Sequence, residues 1–244
     1  MFRFRQGIDR RVISLSDPMS FEAEQYRRVR HQIEELRARS GVRTIAMTSA
    51  VAGDGKTLTS VNLSATLARS MGVKVLLIDM DLRRPTVGKL LGLQPVHGGF
   101  AGLLEQPQAK LQDYVMSVPQ SNLHVIPTMV TRSDTYELLR SPHFANLLEQ
   151  ARNQYEYVVL DTPPVIPVPD TTLINHHVDG YIMIVSANST PRKLVGEALS
   201  LLTPSSVLGI VFNRDDRPMF GYYRGHYRQY FRHYVRAMNN RELA

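Results

Sequence analysis

The segment Thr44-Ile-Ala-Met-Thr-Ser-Ala-Val-Ala-Gly-Asp-Gly-Lys-Thr-Leu-Thr-Ser60 decides the predicted fold. Its first five residues are apolar or β-branched, as in a buried strand, and Gly53 and Gly55 then interrupt the pattern. A mostly buried helix is predicted to follow, with its apolar positions at Leu58, Val61, Leu63, Ala65 and Leu67. Strand, glycine-rich loop and helix in this order predict a site for a nucleoside triphosphate.

The loop has the chemistry that a phosphate site needs. Its glycines let the backbone N–H groups approach an anion, Lys56 supplies a positive charge, and Thr57 offers a hydroxyl to Mg²⁺. The strict pattern would place Gly at position 50, where this chain has Ala50, so a chance Gly-Lys-Thr turn is the alternative. We predict binding of ATP and Mg²⁺ by Gly53, Asp54, Gly55, Lys56, Thr57 and Leu58.

Carboxylates end two further predicted strands. Residues 75–81 run apolar and then release Asp79 and Asp81, and residues 157–161 end in Asp161 in the same way. The carboxyl ends of parallel strands form the binding edge of α/β proteins, so we expect these groups beside the loop. A helix N-cap at Asp81 is the alternative, but it explains one carboxylate and not both. The predicted catalytic residues are Lys56, Asp79 and Asp81, and the predicted metal-binding residues are Thr57, Asp79, Asp81 and Asp161.

Three more apolar segments, residues 123–127, 181–187 and 207–213, are predicted strands, and residues 136–150 are a predicted amphipathic helix. The predicted fold class is α/β, P-loop NTPase-like, with a mostly parallel central sheet flanked by helices on both faces. Asn213 ends the last strand, where its amide either contacts an adenine edge or caps the next turn.

The 244 residues and their 43% hydrophobic content suit one α/β domain with two appendages. We predict an N-terminal segment over residues 1–43, an ATP-binding domain over 44–213 and a tail over 214–244. There is no apolar run of 18 residues or more, no hydrophobic segment after the basic start, and no cysteine. These features predict a cytoplasmic chain and exclude disulfides and thiol chemistry.

The net charge of +7 is concentrated at the two ends of the chain. Residues 1–43 carry 10 arginines and 6 acids, and residues 214–244 carry 7 arginines and 3 acids, whereas the middle is nearly neutral. Basic ends favour a membrane surface, a partner or phosphates over a nucleic-acid surface, which would spread its charge over the domain.

A helix of about twenty residues is predicted in the N-terminal segment, beginning at Asp17-Pro18 and ending at Gly41. Its apolar stripe consists of Tyr26, Val29, Ile33 and Leu36, and a neighbouring polar stripe of Glu24, Arg27 and Arg30. The polar stripe is either an interaction motif or a solvated, salt-bridged helix face.

The tail concentrates tyrosines between arginines. Five of the chain's 11 tyrosines fall within 13 residues: Tyr222, Tyr223, Tyr227, Tyr230 and Tyr234. Such a tract can stack on RNA or lie at a membrane interface. Downstream of an ATP site, these tyrosines are also candidate phosphoacceptors.

Together these residues resemble the bacterial tyrosine autokinases (BY-kinases) of capsule and exopolysaccharide biosynthesis. The resemblance runs from about Phe21 to Asn213. The matching segments are the family's E-x-x-R-x-x-R oligomerisation motif at Glu24, Arg27 and Arg30, its Walker A at 50–57, its Walker A′ at 77–85 and its Walker B at 159–164. The resemblance implies autophosphorylation of tail tyrosines, with one subunit's tail entering a neighbour's site in a homo-oligomeric ring.

The resemblance also implies partners. We expect a separate transmembrane polysaccharide co-polymerase or adaptor, which places the chain at the inner face of the plasma membrane, and a cognate tyrosine phosphatase. Two other functions stay open. Partition and septum-site ATPases share the strand pattern but carry a second lysine early in the loop, where this chain has Val51. A catalytically weak scaffold of a polysaccharide assembly machine is the third possibility.

Overall fold

The computed structural model describes residues 7–95, 97–129, 131–132 and 134–215. The five tail tyrosines, Tyr222 to Tyr234, lie outside this part of the chain.

A seven-stranded sheet forms the centre of the protein, with the strand order β3-β4-β2-β5-β1-β6-β7. All described strand pairs are parallel except β3 with β4. The strands are β1 Thr44–Ser49, β2 Val75–Asp79, β3 Met116–Ser117, β4 Leu123–Ile126, β5 Tyr157–Asp161, β6 Gly180–Ser186 and β7 Val207–Asn213. This confirms the predicted α/β fold with its mostly parallel sheet, and adds the short antiparallel edge strand β3, which the sequence did not reveal.

Helices cover both faces of the sheet, as predicted. They are α1 Ile13–Ser16, α2 Phe21–Ser40, α3 Lys56–Leu67, α4 Val87–Leu91, α5 Phe100–Leu104, α6 Thr135–Leu139, α7 Pro142–Gln154, α8 Asp170–Leu173 and α9 Arg192–Leu201, with single 3₁₀ turns at Leu111–Asp113, Asn175–His177 and Pro204–Ser206. Alternate residues of β2 enter opposite cores: Leu76 packs with Phe144 of α7, and Leu77 with Leu63 of α3. This alternation is what a parallel strand buried on both faces requires.

The N-terminal helix α2 begins later than the sequence suggested. Asp17-Pro18 forms a turn before the helix, and Ser20 is the N-cap, whose hydroxyl accepts the N–H of Ala23 at 3.1 Å. The predicted end is confirmed, because Gly41 adopts the left-handed conformation with φ of 71°. Ile33 is buried in the core that α3 also lines, so α2 is one layer of the same packed unit.

The single helix predicted over residues 136–150 is wrong. The segment forms two helices, α6 and α7, that are separated at Arg140 and Ser141. Pro142 has no backbone N–H to continue a helix, whereas it suits the first position of a new one. The Ser141 hydroxyl caps α7 by accepting the N–H of Phe144 at 3.1 Å.

Candidate nucleotide-binding and phosphoryl-transfer site

The loop between β1 and α3 has the backbone that its glycines predict. Gly53 and Gly55 have φ of 95° and 89°, a region that other residues rarely adopt, and α3 begins immediately afterwards at Lys56. The first N–H groups of α3 therefore face the loop, where an anion is favoured. Any side chain at position 55 would also collide with Asn213, since an added Cβ would lie 2.1 Å from its Nδ2.

Lys56 is buried between two carboxylates. Its Nζ lies 3.0 Å from Oδ1 of Asp161 and 3.5 Å from Oδ2 of Asp81. Burial alone would lower the pKa of Lys56, but the attraction of Asp161 and Asp81 outweighs it, so its pKa is raised. The two carboxylates therefore favour the charged form of this lysine at the end of the sheet.

Asp79 and Asp161 stand side by side on the paired strands β2 and β5, and both are completely buried. Oδ2 of Asp79 accepts the N–H groups of Thr86 and Val87 at 3.1 and 3.0 Å, at the start of α4. Its Oδ1 has no hydrogen-bond partner, and neither does Oδ2 of Asp161. Burial, followed by repulsion from Asp161, raises the pKa of Asp79 well above its usual value.

Asp81 is the acid that reaches the open side of the site. It is 7% exposed and lines a cavity of about 640 Å³ together with the loop. Its Oδ1 accepts the N–H of Arg84 at 3.0 Å, which closes a turn and does not begin a helix. The helix-capping alternative for Asp81 is therefore wrong, and the carboxylate that contacts the first N–H groups of a helix is Asp79.

The cavity brings together most of the residues that the sequence predicted. Gly53, Gly55, Lys56, Thr57, Leu58 and Asp81 line it. Asp54 does not, because its buried carboxylate accepts the hydroxyl of Thr190. Asn213 does not line the cavity but contacts the loop, where its Nδ2 donates to the Asp54 carbonyl oxygen at 2.8 Å.

The residues present fit a nucleotide with its Mg²⁺. No cluster of three or more acidic, histidine or cysteine side chains in the described ranges forms a ready metal cage. Mg²⁺ typically uses one or two carboxylates together with phosphate oxygens and water, so a full protein cage is not required. The unpartnered buried oxygens of Asp79 and Asp161 supply acceptors for a hydrated cation, and the Gly53–Gly55 backbone leaves space for phosphates.

A second ion pair at the site was missed by sequence reasoning. Arg83 donates to both carboxylate oxygens of Asp170, at 2.8 and 3.2 Å, and to the hydroxyl of Thr135 at 2.9 Å. Asp170 is only 2% exposed. This pair fastens the turn after β2 to the N-termini of α6 and α8, and no sequence periodicity marks Asp170 as its partner.

The polar stripe of α2 has partners within the chain. Arg27 pairs with Glu24 and contacts the carbonyl oxygen of Pro18, and Arg30 pairs with Glu34 at 2.9 Å. Arg30 also donates to the carbonyl oxygen of Thr66 at 3.3 Å. Arg27 and Arg30 keep 32% and 27% of their side chains exposed, so the stripe remains accessible at the surface.

This fold and this site define a P-loop enzyme that binds a nucleotide with Mg²⁺. Residues 42–196 match the AAA domain family AAA_31. The chain is 31% identical to the tyrosine-protein kinase YwqD of Bacillus subtilis (strain 168), over 88% of this chain and 92% of that protein. It is also 33% identical to the succinoglycan biosynthesis transport protein ExoP of Rhizobium meliloti (strain 1021), over 86% of this chain and 27% of that protein.

A solved structure agrees with these relatives. The crystal structure of the chimerical protein CapA2B2 has a TM-score of 0.79 and 29% identity, covering 88% of this chain and 96% of that one. The chain therefore belongs to the bacterial tyrosine kinase (BY-kinase) family, as the sequence motifs predicted, and it is a kinase-type enzyme. A further relative is the putative tyrosine-protein kinase CapB of Staphylococcus aureus, 30% identical over 85% of this chain and 92% of that protein. Among the described residues, no helix has the length and apolar character to cross a membrane.

Proposed function

We propose that the protein transfers the γ-phosphoryl group of ATP to tyrosines of its own tail, between Tyr222 and Tyr234. The observation that carries this proposal is the buried Lys56 held between Asp81 and Asp161, directly beside the glycine loop. Phosphoryl transfer depends mainly on positioning and on neutralising negative charge, and this arrangement concentrates both at one end of the sheet.

The chain's own groups have distinct roles in this proposal. The loop amides and Lys56 hold the phosphates, while Thr57, Asp81 and Asp161 hold the metal, whose charge would neutralise the phosphates when it is bound. Asp79 orients the acceptor hydroxyl or receives its proton, since burial raises its pKa above the ordinary aspartate value and so makes its carboxylate a stronger base. Its buried position requires the acceptor hydroxyl to reach it past Asp81, the acid that lines the cavity.

Assembly and location complete the proposal. Arg27 and Arg30 leave their partners within the chain and contact a neighbouring subunit. The subunits thereby form a ring in which each tail reaches the ATP site of the next subunit. A transmembrane polysaccharide co-polymerase or adaptor holds the ring at the inner face of the plasma membrane. A cognate tyrosine phosphatase reverses the modification, and the cycle controls polysaccharide polymerisation and export.

The direct test is mass spectrometry of the purified full-length protein after incubation with Mg²⁺ and ATP. We expect phosphate on tyrosines 222–234 and its loss in Lys56→Met. The matched control is Lys193→Met, an exposed lysine of α9, which should retain the label. Label that persists in Lys56→Met, or that lies mainly on serine or threonine, would overturn the kinase assignment.

Two alternatives give different results. A partition-type ATPase would hydrolyse ATP without labelling the tail, and its second loop lysine is replaced here by Val51, which packs against the core. A scaffold without catalysis would support polysaccharide assembly even when all five tail tyrosines are replaced by phenylalanine. In the proposed kinase, that replacement abolishes regulation.

A further inference from the structure

Two exposed cations stand on one side of the site and are not used by the mechanism above. Arg84 follows Asp81 in the turn after β2, and Lys89 lies in α4, which begins at that turn. Both line the 640 Å³ cavity. Arg11 lies on the same side, because the backbone N–H of Asp9 bonds to the carbonyl oxygen of Leu90 at 2.9 Å.

Two of the other cations that line the cavity, Arg11 and Arg83, are paired, whereas Arg214 forms no ion pair among the described residues. Arg11 pairs with Asp9 at 2.7 Å, and this pairing lowers the pKa of Asp9 to about 2, so that Asp9 stays ionised. Arg83 is paired with Asp170. Within the described part of the chain, the side chains of Arg84 and Lys89 form no ion pair. They therefore add positive charge to this side of the cavity, which Asp9 offsets only in part, since Lys89 attracts it without forming an ion pair.

A second cavity adjoins Lys89. It has a volume of about 490 Å³, and its lining includes Pro85, Leu93 and Met129 besides Lys89 itself. Met129 is 56% exposed, so its apolar side chain is accessible to a ligand from solvent. A site that combines two cations with a neighbouring apolar recess suits a ligand with a phosphate on an aromatic ring.

The tail changes its electrostatic fit to this surface when it is phosphorylated. Residues 214–244 carry 7 arginines and 3 acids, so an unmodified tail is repelled by Arg84 and Lys89. One phosphotyrosine adds a charge of about −1.5 to −2 and three strong hydrogen-bond acceptors. The phosphorylated tyrosine is then attracted to Arg84 and Lys89, whereas the unmodified tail is repelled by them.

We propose that Arg84 and Lys89 bind the phosphate of a tail phosphotyrosine whose ring lies in the 490 Å³ cavity. At the same time, another tail tyrosine occupies the phosphoryl-transfer site beside Lys56 and Asp81. The tyrosines are one to four residues from their nearest neighbours, which corresponds to about 3–14 Å in an extended chain. The first phosphate thereby accelerates addition of the next ones. This inference rests on the proposed autokinase function.

A binding experiment tests the site without relying on catalysis. Full-length protein is titrated with fluorescent peptides of residues 222–234, either unmodified or carrying one phosphate on Tyr230, with anisotropy as the readout. We expect the phosphopeptide to bind at least about tenfold more tightly. Arg84→Ala/Lys89→Ala should remove that difference, and Arg84→Glu/Lys89→Glu should favour the unmodified peptide.

The control is Arg69→Ala/Lys110→Ala, which removes the same charge from exposed positions away from the cavity. Equal binding of the two peptides by the wild type, or an equal loss of preference in this control, overturns the proposed site. If Arg84 and Lys89 interacted only with ATP, the phosphorylated and unmodified peptides would likewise bind equally, and the proposed phosphotyrosine site would be wrong.

A kinetic experiment tests the consequence. Intact-mass spectra during autophosphorylation should show little singly phosphorylated wild-type chain, because the second transfer outpaces the first. In Arg84→Ala/Lys89→Ala, the ratio of second to first rate should fall about tenfold, so that the singly modified chain accumulates. An unchanged ratio contradicts the inference and leaves the kinase function standing. Preferential phosphopeptide binding without any autophosphorylation contradicts the kinase function and leaves the binding site standing.

Discussion

The side-chain amide of Asn213 donates to the backbone carbonyl oxygen of Asp54 at 2.8 Å, joining the end of the last strand to the middle of the phosphate loop. The two residues are 159 positions apart in the chain. Asn213 also fills the space beside Gly55 that a side chain there would need. Residues 214–244 follow directly in the chain, so the contact connects the phosphate loop with the residue that precedes them.

Asn213→Ala should loosen the loop and weaken nucleotide binding. A neutral hydrogen bond of this kind contributes about 1 kcal/mol, so we expect KM for ATP to rise about fivefold with a smaller change in kcat. The matched control is Asn175→Ala. It removes another side-chain amide bond, from Asn175 Nδ2 to the Thr203 hydroxyl at 3.0 Å, which does not involve the phosphate loop. Equal KM values in the two variants would contradict the role of the Asn213 contact.

Asp170→Ala should destabilise the protein and slow phosphoryl transfer together, because it releases Arg83 and the turn that carries Asp81. The carboxylate is 2% exposed but Arg83 is 36% exposed, so solvent screens part of the loss and we expect about 1–3 kcal/mol. Thermal unfolding and kcat are the measurements. Arg132→Ala, which removes surface pairs with Glu105 and Asp134, should leave the melting temperature nearly unchanged. A normal kcat in Asp170→Ala would show that the pair does not position the site.

Asp79→Asn should raise thermal stability at neutral pH while reducing phosphorylation at least about 100-fold. Burial raises the pKa of Asp79 in the folded state, so the folded protein holds this proton more tightly than the unfolded chain does. Stability from this group is therefore lost as pH rises from the ordinary aspartate value of 3.8 through the raised folded pKa. The gain in melting temperature should be larger at pH 8 than at pH 5, and about 2–4 °C for each kcal/mol.

The asparagine keeps an oxygen for the N–H groups of Thr86 and Val87, so the start of α4 should remain formed. Asp113→Asn, at an exposed position, serves as the control and should show no comparable pH trend. A lower melting temperature for Asp79→Asn at pH 8 would mean that the buried charge stabilises the fold.

Arg27→Ala/Arg30→Ala should prevent assembly and lower tail phosphorylation with little effect on folding. The intrahelical pairs are partly exposed and contribute about 0.3–0.5 kcal/mol each. Arg39→Ala is the control, since it removes a similar pair with Glu35 from the same helix. Light scattering measures the assembly. A double mutant that assembles and phosphorylates like the wild type would contradict the ring.

Phosphorylated wild type should be smaller in solution than the same protein after phosphatase treatment. Five phosphates bring roughly −8 to −10, about twice the charge of the four interleaved arginines, Arg224, Arg228, Arg232 and Arg236. Repulsion between crowded phosphates should therefore open the ring. One molecular mass for both forms would refute this switch.

Local patterns sufficed for the parts of the fold that depend on neighbouring residues. Apolar runs marked β1, β2, β5, β6 and β7, and the Gly53–Lys56 segment located the loop, because strand burial and positive φ are imposed by residues close in sequence. The predicted helix over residues 136–150 failed at Ser141-Pro142, where capping chemistry divided a continuous amphipathic pattern. The predicted start of α2 was wrong for a related reason: Asp17-Pro18 and Ser20, three residues apart, both carry helix N-terminal signals, and the helix begins after Ser20.

The sequence by itself determined the class of the protein: the loop, the acids that end β2 and β5, and their order along the chain specify a P-loop kinase-type enzyme. Only the tertiary structure decided which acids are buried and which are reachable. Asp79 and Asp81 are two residues apart, yet Asp79 is completely buried and bonded to the start of α4, whereas Asp81 lines the cavity. Packing also selected Asp170 for Arg83 and Asp54 for Asn213. Such pairs join positions far apart in the chain, and their distances and burial follow from how the layers pack, which no local pattern encodes.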